Sequence, residues 1–353
     1  MHRFTLTLLL VAIGPSLGDG TAMGQTTFNA PRSASAGGGP AAEPTWSLPS
    51  NPLQWLNSPP LTAESLTGKG VVLYFFDETC PRCAEAWPQL QNLAASYEGK
   101  PVVFIAINSG TPPHDVQQYA RRRRVQWPLI IDTDRSFERS MGVNEISLSN
   151  VNQIRTVSAT GQLGNGAIAT LKNDIDSVLK GAAWRVDPTQ VLIPPALRES
   201  WYLVELGGFA RAARGIQRAK DSRDVATKTA AEALIAAVDS ERKKDQTKVD
   251  EDNRQRKSWE AYKRLEIMSL KYDGYEMHAK IVEQLDGLAD NKSVSNEIRA
   301  QRALESALRT ASKGNGVARR RAAGMLEKLV ERDPKTEAAA TARELIAQLA
   351  IQR

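Results

Sequence analysis

"VVLYFFDETCPRCAEAWPQL", Val71 to Leu90, decides the fold. It joins an apolar, β-branched and aromatic run to Cys80 and Cys83, the only 2 cysteines in the 353-residue chain. An apolar run without alternation predicts a strand buried on both faces. From Cys80 to Tyr97 the spacing turns helical, with Ala84, Trp87, Leu90 and Leu93 or Ala94 on one side. The stretch therefore predicts a strand that feeds directly into a helix with C-x-x-C at its start.

That placement carries chemistry. A helix N-terminus presents unpaired N–H groups and a partial positive charge, and both stabilise a thiolate. Cys80 is expected to be the accessible nucleophile, and Cys83, one turn in, the buried resolving thiol. Pro81 suits the first helical position, where its missing N–H costs nothing. Arg82 brings a cation close to Cys80 and is expected to make it more acidic than a free cysteine. A disulfide between the two would close a very small loop and remove little entropy from the unfolded chain. It is a poor staple, and the spacing makes more sense for a bond that opens and closes.

Working outward, strand and helix patterns alternate from Gly70 to about Trp184. "PVVFIAIN" (101–108) predicts a second buried strand, "HDVQQYARRRR" (114–124) a helix, and "WPLIIDTD" (127–134) a further segment. "NQIRTVSATGQL" (152–163) predicts a strand running into a turn at Gly161, and "IATLKNDIDSVLKGA" (168–182) a helix stopped at Gly181. The order β-α-β-α-β-β-α implies an α/β layer. Beyond the proline-punctuated "VDPTQVLIPP" (186–195) the pattern is almost wholly helical. Within it, "ERKKDQTKVDEDNRQRKSWE" (241–260) lacks an apolar face and reads as an exposed helix or an irregular connection. The C-terminus predicts a helical hairpin: Ala322, Met325, Leu326 and Leu329, a turn at Asp333 and Pro334, then Ala339, Ala342, Leu345 and Leu349. It resembles a tetratricopeptide-type hairpin, without a regular repeat through the domain.

The segment from Trp46 to Trp184 resembles the thioredoxin fold, specifically exported redoxins of the TlpA and ResA kind. "VVLYFF" precedes C-x-x-C as the central strand does in that family. Pro88 stands five residues after Cys83, where thioredoxins carry a proline that kinks the active-site helix. "VVFIAIN…VQWPLIIDTDRSFERSMGV" follows the redoxin pattern of strand, helix, W-P-x-x-x-D and a small helix ending in G-V. The resemblance implies thiol–disulfide exchange with protein substrates, no dissociable cofactor, and an upstream electron donor. Three positions depart from the family. No proline lies from Leu129 to Asp187, so the loop "NEISLSNVNQ" (144–153) lacks the usual cis-proline and is expected to be all trans. Thr79 replaces the common aromatic before the first cysteine, and Tyr74 stands where a buried acid is usual; Asp77 or Glu78 is a possible substitute for that acid.

The N-terminus predicts export. A polar start at His2 and Arg3, ten apolar residues "FTLTLLLVAI" (4–13) and then small residues fit a signal peptide over 1–24, cleaved after Gly18 or Gly24. The apolar run is too short to span a bilayer. A Gly-, Ala-, Ser- and Pro-rich tether follows at 25–45. The expected plan is then a thioredoxin-like α/β domain over 46–186 and an all-α helical domain over 187–353, in a periplasmic or other extracytoplasmic setting.

Other chemistries find little support. With a net charge of +6 and its 46 basic and 40 acidic residues well mixed, the chain predicts no nucleic-acid binding. A zinc site would need partners that His114 and His278, distant in sequence from the thiols, do not supply, so no metal is expected. A thiol peroxidase would want threonine and proline where Asp77 and Leu73 stand, and no hydrolytic triad is evident. Arg121–Arg124 reads as a solvated basic helix end, and Trp87 and Trp127 as core aromatics. Two functions remain open: a thiol–disulfide oxidoreductase using Cys80 and Cys83, or a non-catalytic thioredoxin-fold scaffold whose helical domain binds an envelope protein.

Overall fold

The computed structural model describes residues 46–351 except 148, 314 and 315, and the backbone alone at 349–351. The expected signal peptide (1–24) and tether (25–45) lie outside the described residues, as does the side chain of Leu349.

The α/β part contains β1 (Trp55–Leu56), α1 (Ala63–Leu66), β2 (Gly70–Phe76), α2 (Pro81–Ser96), β3 (Val102–Ser109), α3 (Pro113–Arg123), β4 (Leu129–Asp132), α4 (Ser136–Ser140), β5 (Gln153–Val157), β6 (Leu163–Gly166) and α5 (Leu171–Val178). The strands form one sheet in the order β1-β4-β3-β2-β5-β6. β2, β3 and β4 run parallel, while β5 lies antiparallel to β2, with Val71 opposite Val157 and Phe75 opposite Gln153. Every residue of β2 and β3 is buried, as their unbroken apolar runs require.

Several boundaries differ from the sequence expectation. The helix expected over 168–182 starts at Leu171 and ends at Val178. Residues 168–170 form a turn instead, in which Asp174 accepts from the Ala167 N–H and the Thr170 hydroxyl. The strand expected over 152–163 is a hairpin, β5 then β6. β6 is the sequence Leu-Gly-Asn-Gly, with no strand signal, because its glycines leave room for neighbours. A Cβ at Gly166 would come within 2.8 Å of the Ile154 side chain, and one at Gly164 within 3.0 Å of the Thr156 hydroxyl.

The W-P-x-x-x-D element is structural. Asp132, buried at the end of β4, accepts from the Phe137 N–H at 3.1 Å and the Glu138 N–H at 2.8 Å, holding the start of α4. Arg155 on β5 donates to the carbonyls of Met141 and Gly142 and ties down the other end of that helix.

The rest is helical among the described residues: α6 (Arg198–Glu205), α7 (Phe209–Lys220), α8 (Val225–Arg254), α9 (Ser258–Lys271), α10 (His278–Ala289), α11 (Lys292–Ala311), α12 (Gly316–Arg332) and α13 (Glu337–Ile351). From α6 onward each helix packs on the next, and α7, α9, α11 and α13 also touch in sequence. The stretch without an apolar face continues α8 as far as Arg254. It buries only Val249 and Asp252 there and is otherwise held by polar partners, among them the Tyr272 hydroxyl and Lys271, both 2.7 Å from Asp245. Glu297 on α11 accepts from the N–H groups of Glu337 and Ala338 and caps α13.

The α/β and helical parts fall within one compact unit. Their junction lies at the N-terminal end of β2, away from the cysteines. Lys69 (1% exposed) meets Glu205 (0% exposed) at 3.4 Å. The Glu205 carboxylate also accepts from the backbone N–H groups of Arg185 and Val186 at 2.9 and 2.7 Å. Trp184 and Trp201 pack edge to face beside them. Burial lowers the Lys69 pKa to about 8, an effect the Glu205 carboxylate opposes.

Candidate active site

Cys80 closes the turn after β2 and is the N-cap of α2; Pro81 opens the helix. The Cys83 backbone N–H donates to the Cys80 sulfur at 3.2 Å. One of the orphan donors of the helix end is thereby spent on the first cysteine's sulfur, as the sequence arrangement requires. Both thiols are free.

The expectation that Cys80 would be accessible is corrected here. Cys80 is 4% exposed and Cys83 0%. As N-cap, Cys80 turns its sulfur back over the first turn of α2, and both cysteines join the hydrophobic core. Arg82 and Pro88 lie on the exposed side of the helix, and Pro88 sits inside it. Ala84, Trp87 and Leu90 are buried as their spacing predicts, and Leu93 and Ala94 pack half-buried beside them.

Beneath the thiols lies an aromatic floor. Trp87 meets Tyr74 and Phe76 edge to face at 5.3 and 5.2 Å, and Phe76 stacks on Tyr119 at 5.3 Å. The Trp87 indole donates to the Tyr119 hydroxyl at 3.0 Å. Trp127 packs against both Trp87 and Phe104, so Trp87 is a core residue and the half-buried Trp127 packs against that core. This floor deprives the thiols of water. Burial pushes the Cys83 thiol up to about 11, and its hydrogen bond with the Cys80 side chain works in the same direction. Backbone N–H groups of Asp77 and Asn152 act against that rise.

Asp77 is already engaged as a carboxylate. It accepts from the Thr79 N–H and hydroxyl at 2.8 and 2.7 Å and faces Arg135 at 3.7 Å. Tyr74 is fully buried, and its hydroxyl lies 3.4 Å from the Cys83 carbonyl and 3.2 Å from Oδ1 of Asn152. Among the described residues, those of the loop before β5 included, no peptide bond is cis. Asn152 there adopts a left-handed backbone with φ of 56°. Sequence reasoning marked Tyr74 only as a departure and missed Asn152, whose one signal was an asparagine just ahead of a strand. Among the described residues no cluster of His, Cys, Asp and Glu could hold a metal.

Residues 47–160 match the family model described as Redoxin. Over that segment the chain is similar to redoxins of the TlpA and ResA kind. The redoxin domain is 32% identical over 80 residues to a thiol-disulfide oxidoreductase ResA of Halalkalibacterium halodurans, covering 23% of this chain and 46% of that protein. It is 29% identical over 83 residues to the ResA of Bacillus subtilis, covering 24% of this chain and 46% of that one. The chain thus spans just under half the length of the curated relatives it matches. Among solved structures, a secreted Mycobacterium tuberculosis disulfide oxidoreductase aligns over 35% of this chain and 96% of its own, at 21% identity and a TM-score of 0.30. A thiol:disulfide interchange protein of Chlorobium tepidum aligns over 39% of this chain and 98% of its own, at 19% identity and a TM-score of 0.32.

Proposed function

We propose that this protein is an exported thiol–disulfide oxidoreductase that exchanges disulfides with protein substrates through Cys80 and Cys83. The observation that carries this reading is the Cys83 N–H held on the Cys80 sulfur at the start of α2. A sulfur that already accepts a hydrogen bond at a helix N-terminus is stabilised when it becomes a thiolate.

The steps follow from the two positions. Cys80, as thiolate, attacks one sulfur of a substrate disulfide. A bond forms between Cys80 and that sulfur, the substrate S–S bond breaks, and the departing thiolate takes a proton from water. Cys83 then gives up its proton, and its thiolate attacks the Cys80 sulfur. The Cys80–Cys83 bond forms as the mixed disulfide breaks, and the second substrate sulfur leaves as thiolate. Two electrons pass from the dithiol to the substrate, and an upstream electron donor restores the dithiol. Run backwards, the same steps oxidise a substrate dithiol. Pro81 opens the helix that bears the pair, Arg82 places a cation beside it, and Pro88 bends the same helix further on.

In this reading residues 46–186 do the chemistry and 187–353, with tetratricopeptide-like hairpins, present client proteins. The setting is periplasmic or otherwise extracytoplasmic, after cleavage of a signal peptide within 1–24. Cys83→Ser tests it. The variant should accumulate a mixed disulfide on Cys80 with protein clients, while Cys80→Ser should trap none. Absence of any trapped species in Cys83→Ser would count against exchange.

A second reading is favoured by the 4% exposure of Cys80. In it the redoxin domain is a scaffold, and the helical domain binds an envelope protein. Cys80→Ser separates the two, because a binding protein keeps its partner when the thiol is lost.

A further inference from the structure

Arg135 lies where the C-terminal ends of the parallel strands converge, and the exchange reading does not use it. Asp77 follows β2, Gly110 follows β3, and Arg135 stands between β4 and α4. One terminal nitrogen of its guanidinium donates to both oxygens of the buried Glu138, at 3.1 and 3.2 Å. The other faces Oδ2 of Asp77 at 3.7 Å and Oε1 of Glu145, in the loop that leads to β5, at 3.6 Å. The group also lies against the Gly110 backbone, where a Cβ would come within 2.6 Å of Nε. Its own N–H bonds to the Asp132 carbonyl at 3.1 Å, not to the carboxylate that starts α4. Arg135 adopts a left-handed backbone with φ of 58°. Arg124 and Arg256 do so too, but they follow helices, where that conformation is a common stop. Arg135 precedes a helix instead, and its contacts to Glu138, Asp77, Glu145 and Gly110 hold it in a conformation that most side chains disfavour.

The contact to Asp77 bears on the dithiol. Asp77 divides its oxygens: Oδ1 accepts from the Thr79 N–H and hydroxyl, and Oδ2 faces Arg135. The Asp77 carbonyl in turn accepts from the Cys80 N–H at 3.3 Å. The turn that delivers Cys80 to α2 is therefore anchored at Asp77, and Arg135 holds that anchor from β4. We infer that Arg135 is a positioning residue for the dithiol, acting through Asp77 to keep the Cys80 sulfur in the N-cap place where the Cys83 N–H meets it. The inference rests on the exchange reading. That hydrogen bond favours a sulfur carrying negative charge, and so favours the reduced pair over the disulfide. Loosening the turn weakens it, and the pair becomes easier to oxidise.

The test is the reduction potential of the full chain, equilibrated against glutathione in about 1 M salt, where exposed charges are screened within about 3 Å. Asp77→Asn keeps the Oδ1 acceptor for Thr79 and removes the partner of Arg135. A part-exposed ion pair sets the scale, so the equilibrium constant with glutathione should move about threefold, a fall of about 15 mV. A charge effect alone would have the opposite sign, because removing a carboxylate favours a nearby thiolate. Arg135→Gln should fall by a similar amount. Adding Asp77→Asn to it should lower the potential no further, since both cut one tie. If Arg135→Gln fails to fold with Glu138 buried and unpaired, Arg135→Lys takes its place. Lysine keeps a charge for Glu138, but its single ammonium lacks the fork that serves several carboxylates at once, and it should show the same fall.

An unchanged or raised potential in Asp77→Asn would overturn the inference. So would falls in Asp77→Asn and the Arg135 variant that add in the double variant, because the two residues would then act separately. Absence of any reversible transition in the wild-type protein would instead sink the exchange reading.

Discussion

Strand β2 runs between two buried sets of ionisable groups that are handled in opposite ways. At its N-terminal end Lys69 is out of water but faces Glu205, whose carboxylate also receives two backbone N–H groups. At its C-terminal end Cys83 is equally buried, beside another thiol and the aromatic floor, with no counter-charge facing it among the described residues. One end pairs charge with charge and fixes the helical part to the redoxin domain. The other raises the pKa of Cys83 by burial and leaves it protonated until chemistry calls for a thiolate. A fold can bury titratable groups at both ends of one strand, and the partner decides whether the result holds or reacts.

The sharpest way to break that comparison is to remove one cysteine and one carboxylate. Cys80→Ser should abolish measurable reduction of a protein disulfide while leaving the thermal unfolding midpoint close to wild type. Glu205→Ala should do the reverse. It leaves Lys69 buried without its counter-charge and strips an acceptor from Arg185 and Val186, a loss of about 3–5 kcal/mol in chemical denaturation. The reactivity of Cys80 in the folded fraction should be unchanged. A Glu205→Ala protein as stable as wild type would show that the junction is not held by this pair.

Alkaline pH sharpens the contrast, because the two ends tilt stability in opposite directions. Lys69 titrates near 8 in the folded protein, below its ordinary 10.5, so the unfolded chain binds more protons between those values. Its contribution to stability therefore rises from pH 8 to 10.5. Cys83 titrates near 11 when folded, above its ordinary 9.0, so the folded form holds the proton longer. Its contribution is intact below pH 9 and is lost between 9 and 11. Urea unfolding of the reduced protein from pH 7.5 to 10.5 checks both signs. Lys69→Met should lose the rising component, and Cys83→Ala the falling one.

A smaller effect is expected at α4, where Asp132→Ala removes the acceptor of two backbone N–H groups. The cost is about 1–3 kcal/mol, with exchange chemistry retained. Loss of the dithiol's activity in that variant would mean that the W-P-x-x-x-D element reaches the thiols.

How much of this was legible in the sequence varies with the range of the interaction. The buried strands β2 and β3 and the cysteine-bearing helix were plain, because continuous apolar runs and helical spacing are local signals. The edge strands were not. β1 has two residues, and β6 is half glycine, chosen for what its neighbours Ile154 and Thr156 leave room for. The second half of α8 was ambiguous because its partners are polar groups from α9, which leave no apolar stripe to see. The Lys69–Glu205 junction joins residues far apart in the chain, and neither position carries a motif. At the site, C-x-x-C gave the pair of thiols and their place at the start of α2. It could not give the exposure of Cys80, which depends on how an N-cap sulfur folds back, or the contact between Tyr74 and Asn152, whose backbone has a positive φ.

The central claim is that Cys80 and Cys83 open and close as a redox pair. Its most direct test is the reduction potential, read by equilibrating the protein against glutathione mixtures and labelling the remaining thiols. The account predicts a single reversible transition between the thioredoxin and DsbA values, about −270 to −120 mV. Thiols that never close, or a bond that stays shut throughout that range, would contradict it and leave the redoxin domain as a scaffold for its helices.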